Sequence, residues 1–317
     1  MTVGFALSGG GNLGAMQAGG MRALFEAGIE PELLTGSSIG ALNAAFYATH
    51  PGIGGCKALE TAWSDMRRQD VFRFELSRAI AGFIGLRDHL VTTKRLKVII
   101  REWLGIERIE EAPVPFAAVA TDALTGDIVL MTEGDVASAL LASAAIPGVF
   151  PPVLRDGRWL VDGSLSAGCP ASEALELGAD VVFAFMTTTA PRRKPPRGAV
   201  AAAMSSVSLL TSKLQVSRLE SAQAAARERG GAVYFVPSPF PEAPSPFDFS
   251  QGSTLAASGV RPRLGVGERA GVRRDASRFA PLNERDAGLV RWLRAQGPGA
   301  ERAHLARQLG PRRRPVP

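Results

Sequence analysis

Two glycine-rich segments near the start of the chain contain residue types suited to chemistry. The second, Gly36-Ser37-Ser38-Ile39-Gly40, has the pattern G-x-S-x-G at a predicted strand-to-helix junction. A serine at such a turn sits in strained backbone, and a glycine two residues away on each side relieves the crowding. Because Ser37 would need glycines at positions 35 and 39, the register selects Ser38 as the candidate nucleophile. Taken alone, the pattern also fits a helix cap or a turn.

The first segment, Gly9-Gly10-Gly11-Asn12-Leu13-Gly14, follows a predicted strand and opens a predicted helix. Glycines let backbone N–H groups converge, and the helix dipole adds positive potential, so this loop predicts an anion site. The anion is either a phosphate or the oxyanion of a tetrahedral intermediate. The segment also satisfies the dinucleotide pattern G-x-G-x-x-G, which requires an acid where the second strand ends. The nearby acids, Glu30 and Glu32, lie at the start of that strand, so a dinucleotide site is disfavoured.

A serine nucleophile needs a base, and the three histidines fit that role poorly. Ser38, Asp162 and His304 have the chain order of an α/β-hydrolase triad, but His304 lies in an arginine-rich segment. An α/β-hydrolase also has several strands before its nucleophile, whereas only one strand is predicted before the strand that leads to Ser38. His50 closes the helix after Ser38, on the order of 18 Å away at helical rise. His89 lies in a predicted helical insertion and has no marked partner.

Four motifs occur in one order, and together they are more specific than any one of them. They are GGGNLG at 9–14, GSSIG at 36–40, ASAAIPGVFPP at 142–152 and Leu160-Val161-Asp162-Gly163-Ser164. This set is similar to the bacterial branch of the patatin-like phospholipase family over residues 3–190, and residues 246–250 resemble its later region. The resemblance implies a lipid acyl hydrolase with a mainly parallel central sheet and a Ser–Asp dyad that needs neither histidine nor metal.

Position by position, the resemblance implies that Ser38 is the nucleophile and Asp162 the proton acceptor, with the three glycines at 9–11 as the oxyanion loop. Asp162 is preferred to Asp156, because Asp156 lies in a predicted hairpin turn whereas Asp162 ends the returning strand. The expected reaction is attack of Ser38 on an ester of an acyl lipid, such as a phospholipid or lysophospholipid, through an acyl-enzyme. No cofactor is expected.

Two positions depart from the family pattern. Asn12 stands where the family usually has a basic residue, which removes a charge near the site and bears on head-group preference. Ser164 stands where the family usually has glycine or alanine, and it is small enough to fit. Two alternatives stay open: an acyltransferase that uses the same dyad, and a catalytically vestigial scaffold held at anionic membranes by an arginine-rich tail.

Strand-like and helix-like stretches alternate, which predicts a three-layer α/β/α sandwich around a mainly parallel sheet. Predicted strands are 3–7, 32–36, 114–121, 127–131, 153–155, 159–161, 181–185 and 233–236, and predicted helices are 12–27, 39–50, 136–145, 171–177 and 199–229. A helical insertion spans about 62–104. Its apolar stripe (Leu76, Ile80, Phe83 and Ile84) predicts either ordinary packing or a cover that receives acyl chains or touches a bilayer.

These elements suggest a catalytic domain at 3–190, a helix and strand at 191–260 that complete the fold, and a tail at 261–317. The tail holds fourteen arginines against five acids, a surplus of +9, whereas the whole chain carries +6. The basic character is therefore local, which predicts a solvated or mobile segment. The sharper alternative is a surface for anionic lipid or, less favoured, nucleic acid.

The composition excludes several classes of protein. With 46% hydrophobic and 21% charged residues among 317, the chain can bury a core and is not wholly disordered. No apolar run is long enough to cross a bilayer, and no signal peptide is recognisable, so a cytoplasmic setting is expected. Cys56 and Cys169 match neither a disulfide framework nor a zinc pattern, so both are expected to be reduced and structural. The oligomeric state is not readable from the sequence.

Overall fold

The regular elements build one mixed sheet with helices on both faces. The computed structural model describes residues 1–65, 94–187, 198–236 and 254–255. The strands in these ranges are β1 (Val3–Leu7), β2 (Leu33–Ser37), β3 (Phe116–Asp122), β4 (Ile128–Met131), β5 (Val153–Arg155), β6 (Arg158–Asp162), β7 (Val181–Phe185) and β8 (Ala232–Val236). The helices are α1 (Gly14–Glu26), α2 (Ile39–Thr49), α3 (Ile53–Asp65), α4 (Lys94–Leu104), α5 (Val136–Ser143), α6 (Ala171–Glu176) and α7 (Ala199–Glu228).

The strands bury both of their faces, in two separate apolar clusters. Along β1, Phe5 and Leu7 join the cluster formed with α1, α2 and α5, while Ala6 joins the cluster formed with α6 and α7. This alternation is the period of two that a strand imposes on its side chains. Helices therefore cover the sheet on both sides, which confirms the predicted three-layer α/β/α sandwich.

The sheet is mainly parallel, as predicted. The hydrogen-bonded path runs β5-β6-β3-β2-β1-β7-β8, and β4 also pairs with β3. The pairs β1–β2, β1–β7, β2–β3 and β7–β8 are parallel, whereas β3–β4, β3–β6 and β5–β6 are antiparallel. The antiparallel pairs are thus confined to β3, β4, β5 and β6.

Strand β6 takes over the edge of β3 at the point where β2 ends. Ala118 and Val119 pair with both β2 and β4, whereas Ala120 and Thr121 pair with both β4 and β6. A strand has only two edges, so β2 and β6 share one edge of β3 and β4 occupies the other. Ser37 is in register with Val119, and Asp162 is in register with Ala120. The end of β6 therefore meets the end of β2.

Element bounds differ from the predictions by a few residues. The first helix was predicted from residue 12, but a short 3-10 turn at Gly11–Leu13 precedes α1, which starts at Gly14. Of the predicted insertion, the described part holds the end of α3 and all of α4. The apolar stripe at Leu76–Ile84, residues 246–250 and the tail at 261–317 lie outside the described residues, and the proposed domain division stays a prediction. Among the described helices, none combines the length and apolar character needed to cross a bilayer.

Candidate active site

Ser38 lies in the sharp turn between β2 and α2. Its backbone has φ 55° and ψ −126°, a conformation that residues other than glycine rarely adopt. The two flanking glycines are required by close approaches: a Cβ at Gly36 would overlap the backbone of α2 at Ala41, and a Cβ at Gly40 would overlap the carbonyl of Leu7. The glycine spacing therefore lets the helix start directly above the end of the strand, with Ser38 at the apex.

The Ser38 hydroxyl donates a hydrogen bond to the Asp162 carboxylate. The Oγ–Oδ2 distance is 2.6 Å, and the two residues are 124 positions apart in the chain. Asp162 ends β6 and is only 4% exposed, and Ser38 is 7% exposed. The topology described above accounts for this contact, because β6 ends beside the turn that carries Ser38.

The surroundings of Asp162 supply hydrogen bonds. The Ser164 backbone N–H donates to Oδ1 at 2.8 Å, and the Ser164 hydroxyl also hydrogen-bonds to the carboxylate. Burial raises the pKa of Asp162, and the hydrogen bonds from Ser38 and Ser164 oppose that rise. A Cβ at Gly163 would overlap the Val119 carbonyl, so the residue after the aspartate is held to glycine.

Asp156, the rejected alternative, lies in the turn of the β5–β6 hairpin. Its side chain is 87% exposed and forms an ion pair with Arg155 at 3.4 Å. His50 lies at the exposed end of α2, where its ring stacks on Phe46 with the centroids 4.7 Å apart. His89 and His304 lie outside the described residues. Among Asp156, Asp162 and His50, the candidates that the structure describes, only Asp162 contacts the Ser38 hydroxyl.

The glycine loop passes between the side chains of Ser38 and Ser164. A Cβ at Gly9 would overlap Ser164 Oγ and lie 3.1 Å from Ser38 Cβ, so the backbone of Gly9 fills the space between these two side chains. Gly10 and Gly11 have φ 152° and 59°, in the region that favours glycine. The Thr187 hydroxyl donates to the Gly9 carbonyl and fixes the loop from the end of β7.

A buried polar network anchors the loop to the helices below it. Gln17 donates to the Ser8 carbonyl at 2.7 Å, and Asn43 donates to Gln17 at 2.8 Å and to the Gly14 carbonyl at 2.9 Å. Trp63 of α3 donates to Asn43 at 3.0 Å. Asn12, expected to influence head-group preference, is itself fully buried. The loop is therefore supported from α1, α2 and α3 together.

Ser143 contacts the turn that carries Ser38, although sequence reasoning assigned it no role beyond membership of a motif. Its Oγ accepts a hydrogen bond from the Ser38 backbone N–H at 3.0 Å and donates to the Val119 carbonyl at 2.6 Å. The residue is fully buried at the end of α5. The available signal was a serine at the end of a mainly apolar helix, because a buried hydroxyl requires partners.

The described residues contain no group of three or more His, Cys, Asp or Glu side chains placed to hold a metal ion. Cys56 and Cys169 are both free and buried. Burial raises the pKa of the Cys56 thiol to about 12 and also raises that of Cys169. Neither thiol is therefore suited to act as a nucleophile near neutral pH.

The comparison with known proteins agrees with the geometry. The family model described as patatin-like phospholipase matches residues 5–175, more than half of the chain. The chain therefore belongs to the patatin-like phospholipase family.

Three relatives are similar over the same region. A Caenorhabditis elegans protein named for its patatin-like phospholipase domain is 31% identical over 188 residues, covering 58% of this chain and 16% of that protein. An uncharacterized NTE family protein of Mycobacterium tuberculosis is 31% identical over 183 residues, covering 57% and 48%. Lysophospholipase nte1 of Neurospora crassa is 29% identical over 187 residues, covering 58% and 12%. The match spans less than half the length of each of these relatives.

Proposed function

We propose that the protein is a serine lipid acyl hydrolase in which Ser38 and Asp162 form a catalytic dyad. The observation that carries this proposal is the buried 2.6 Å hydrogen bond between the Ser38 hydroxyl and the Asp162 carboxylate. Membership of the patatin-like phospholipase family supports an acyl-lipid substrate, and one relative is named a lysophospholipase. Phospholipids and lysophospholipids are therefore the proposed substrates.

In the first step, Ser38 Oγ attacks the carbonyl carbon of the ester while its proton moves to Asp162 Oδ2. An ordinary carboxylate is a weak base for an alcohol, but burial raises the pKa of Asp162 and so strengthens it as a base. The tetrahedral intermediate then collapses. The bond to the leaving alkoxide breaks, and that oxygen takes the proton from Asp162.

The second step hydrolyses the acyl-enzyme. Asp162, ionised again, accepts a proton from a water molecule whose oxygen attacks the acyl carbonyl. The bond to Ser38 Oγ breaks, the serine oxygen regains the proton, and a fatty acid is released. The same carboxylate therefore serves in both steps, which is why a dyad without histidine suffices.

The glycine loop at 9–11 is proposed to stabilise the negative oxygen of both tetrahedral intermediates. Gly9 lies in contact with the Ser38 side chain, and the loop leads into the amino end of α1. Peptide N–H groups and the helix dipole both favour a negative charge at this place. One such donor contributes about 3–4 kcal/mol to lowering the barrier, so the loop supplies a large share of the catalysis.

The test is hydrolysis of p-nitrophenyl acyl esters and of lysophospholipid by the full chain. Ser38→Ala and Asp162→Ala are expected to lose turnover, whereas Asp156→Ala, a matched change of an exposed aspartate on the same hairpin, retains it. Turnover close to that of the parent in either dyad variant would overturn the proposal. Transfer of the acyl group to an added alcohol, with no free fatty acid, would reassign the protein as an acyltransferase.

A further inference from the structure

Three large apolar side chains are exposed on two neighbouring turns of the sheet. Leu124, in the β3–β4 turn, is 81% exposed, and Leu154 and Trp159, on the β5–β6 hairpin, are 57% and 46% exposed. Leu154 and Trp159 are in register across the hairpin, so they share one face of it. The Ala123 N–H donates to the Trp159 carbonyl at 2.7 Å, which joins the two turns. Leu124, Leu154 and Trp159 are called the apolar rim below.

The apolar rim projects from the end of the sheet that carries Ser38. Trp159 lies on the same strand as Asp162, three residues earlier, which places it about 10 Å further out along β6 at the rise of a strand. Since Asp162 contacts the Ser38 hydroxyl, the apolar rim projects beyond the same end of the sheet as the candidate active site, with the Trp159 side chain on the other face of β6 from that of Asp162. A lipid surface that meets the rim therefore faces the end of the sheet that carries that site.

An open cleft lies inward of the rim. Val161 is on the same face of β6 as Trp159, because side chains alternate along a strand. Val161 lines this cleft of about 630 Å³ together with three further large apolar residues, Ile128, Leu165 and Leu214, and with five polar or charged ones, Thr121, Asp122, Asp127, Ser166 and Arg218. The exposed apolar surface is therefore the rim itself, and the cleft behind it is of mixed character.

The charges around the apolar rim do not favour an anionic surface. Arg158, Asp127 and Asp156 are exposed, and Asp156 is paired with Arg155 at 3.4 Å, so two acids are balanced by two arginines on these turns. Arg155 is only 12% exposed in its side chain, because it bends back to the Glu133 and Asp135 carbonyls. A contact made here depends on apolar burial and on the tryptophan, a side chain suited to the boundary between lipid and water.

We propose that the apolar rim inserts Leu124, Leu154 and Trp159 into the surface of zwitterionic lipid aggregates and so presents their esters to Ser38. This inference rests on the proposed function, since it assigns how a lipid substrate reaches that same site. The contact is apolar in origin, so it differs from attraction of an arginine-rich tail to anionic lipid. Binding at the rim is therefore expected to be insensitive to salt.

The test measures sedimentation of the full chain with phosphatidylcholine vesicles. The double variant Leu154→Gln/Trp159→Gln is compared with Leu177→Gln, a matched change at a leucine that is 38% exposed. Leu177 precedes the start of β7, so it lies at the end of the sheet opposite to the one that carries Ser38. The double variant is expected to reduce the partition coefficient about thirty-fold, and Leu177→Gln to leave it unchanged. Raising salt from about 0.1 M to about 1 M is expected to leave binding unchanged.

Three results would overturn the inference: no binding of the parent to phosphatidylcholine, equal binding of parent and double variant, or loss of binding at high salt. A change in molecular mass in solution caused by the double variant, with vesicle binding intact, would instead assign the rim to contact between two copies of the chain. Turnover of a soluble p-nitrophenyl ester is measured in parallel. It tests the proposed function by itself, because the double variant leaves Ser38, Asp162 and the glycine loop untouched.

Discussion

Replacing Ser143 by alanine removes one hydroxyl that holds the backbone of Ser38, the proposed nucleophile, in place. The Ser143 Oγ accepts from the Ser38 N–H at 3.0 Å and donates to the Val119 carbonyl at 2.6 Å, in a fully buried position. Ser38 has φ 55°, a conformation that costs about 1–3 kcal/mol and persists only where the surroundings enforce it. The variant removes one of those enforcing contacts without touching the dyad.

The expected magnitude follows from the groups left without partners. A buried donor or acceptor that loses its partner costs about 1–3 kcal/mol. The Val119 carbonyl also lies within the sheet, so most of the loss falls on the Ser38 N–H, and the free energy of unfolding should decrease by about 2–3 kcal/mol. A turn that relaxes by about 1 Å moves Ser38 Oγ away from Asp162, and kcat should fall about 100-fold.

Urea unfolding and p-nitrophenyl ester hydrolysis measure the two effects. Ser138→Ala is the matched control, since Ser138 is a half-buried serine on the same helix whose backbone N–H, rather than its hydroxyl, is held by Asp135. It should change neither quantity by much. If Ser143→Ala unfolds at the same urea concentration as the parent and keeps its kcat, the assignment of Ser143 as a positioning residue is wrong.

Two further predictions concern the carboxylate. Because the pKa of Asp162 is raised in the folded state, the protonated side chain favours folding, and this stabilisation is lost as the pH rises through the folded-state pKa. Asp162→Asn keeps the side chain neutral, so it should raise the free energy of unfolding by about 0.5–2 kcal/mol at pH 7. The same variant should abolish turnover, because it removes the proposed base. That gain should vanish below the ordinary aspartate pKa of 3.8, and urea unfolding at both pH values checks it. Ser164→Ala removes a hydrogen bond that lowers the pKa of Asp162, so the acid limb of kcat/KM should move to higher pH; an unmoved limb would refute that role.

The sequence was sufficient for features that have a local pattern. The spacing of Gly36 and Gly40 selected Ser38 over Ser37, and the structure shows that both glycines are fixed by contacts with nearby backbone. The Asp156-Gly157 dipeptide predicted the turn of the hairpin, and this placed Asp156 in an exposed turn and left Asp162 as the candidate base. Alternating strands and helices predicted the three layers, because the hydrophobic periodicity of each element is visible in consecutive residues of the sequence.

Features set by long-range contact were not predictable from local patterns, and the pairing of Asp162 with Ser38 was expected only from the family resemblance. The takeover of the β3 edge by β6 brings Asp162 to Ser38 across 124 residues, and no local pattern encodes it. In the sequence, Ser143 is one of two serines in a mainly apolar helix, and only the contact with the turn at Ser38 distinguishes it from Ser138. The contact of Ser164 with Gly9 has the same origin, because it depends on where two distant loops meet.

Covalent labelling of the full chain with a fluorophosphonate, mapped by mass spectrometry, tests the dyad most directly. We predict one adduct, on the peptide that contains Ser38, absent in Ser38→Ala and formed much more slowly in Asp162→Asn. An adduct on another residue, or equal labelling rates in the parent and Asp162→Asn, would contradict the assignment of Ser38 as a nucleophile activated by Asp162.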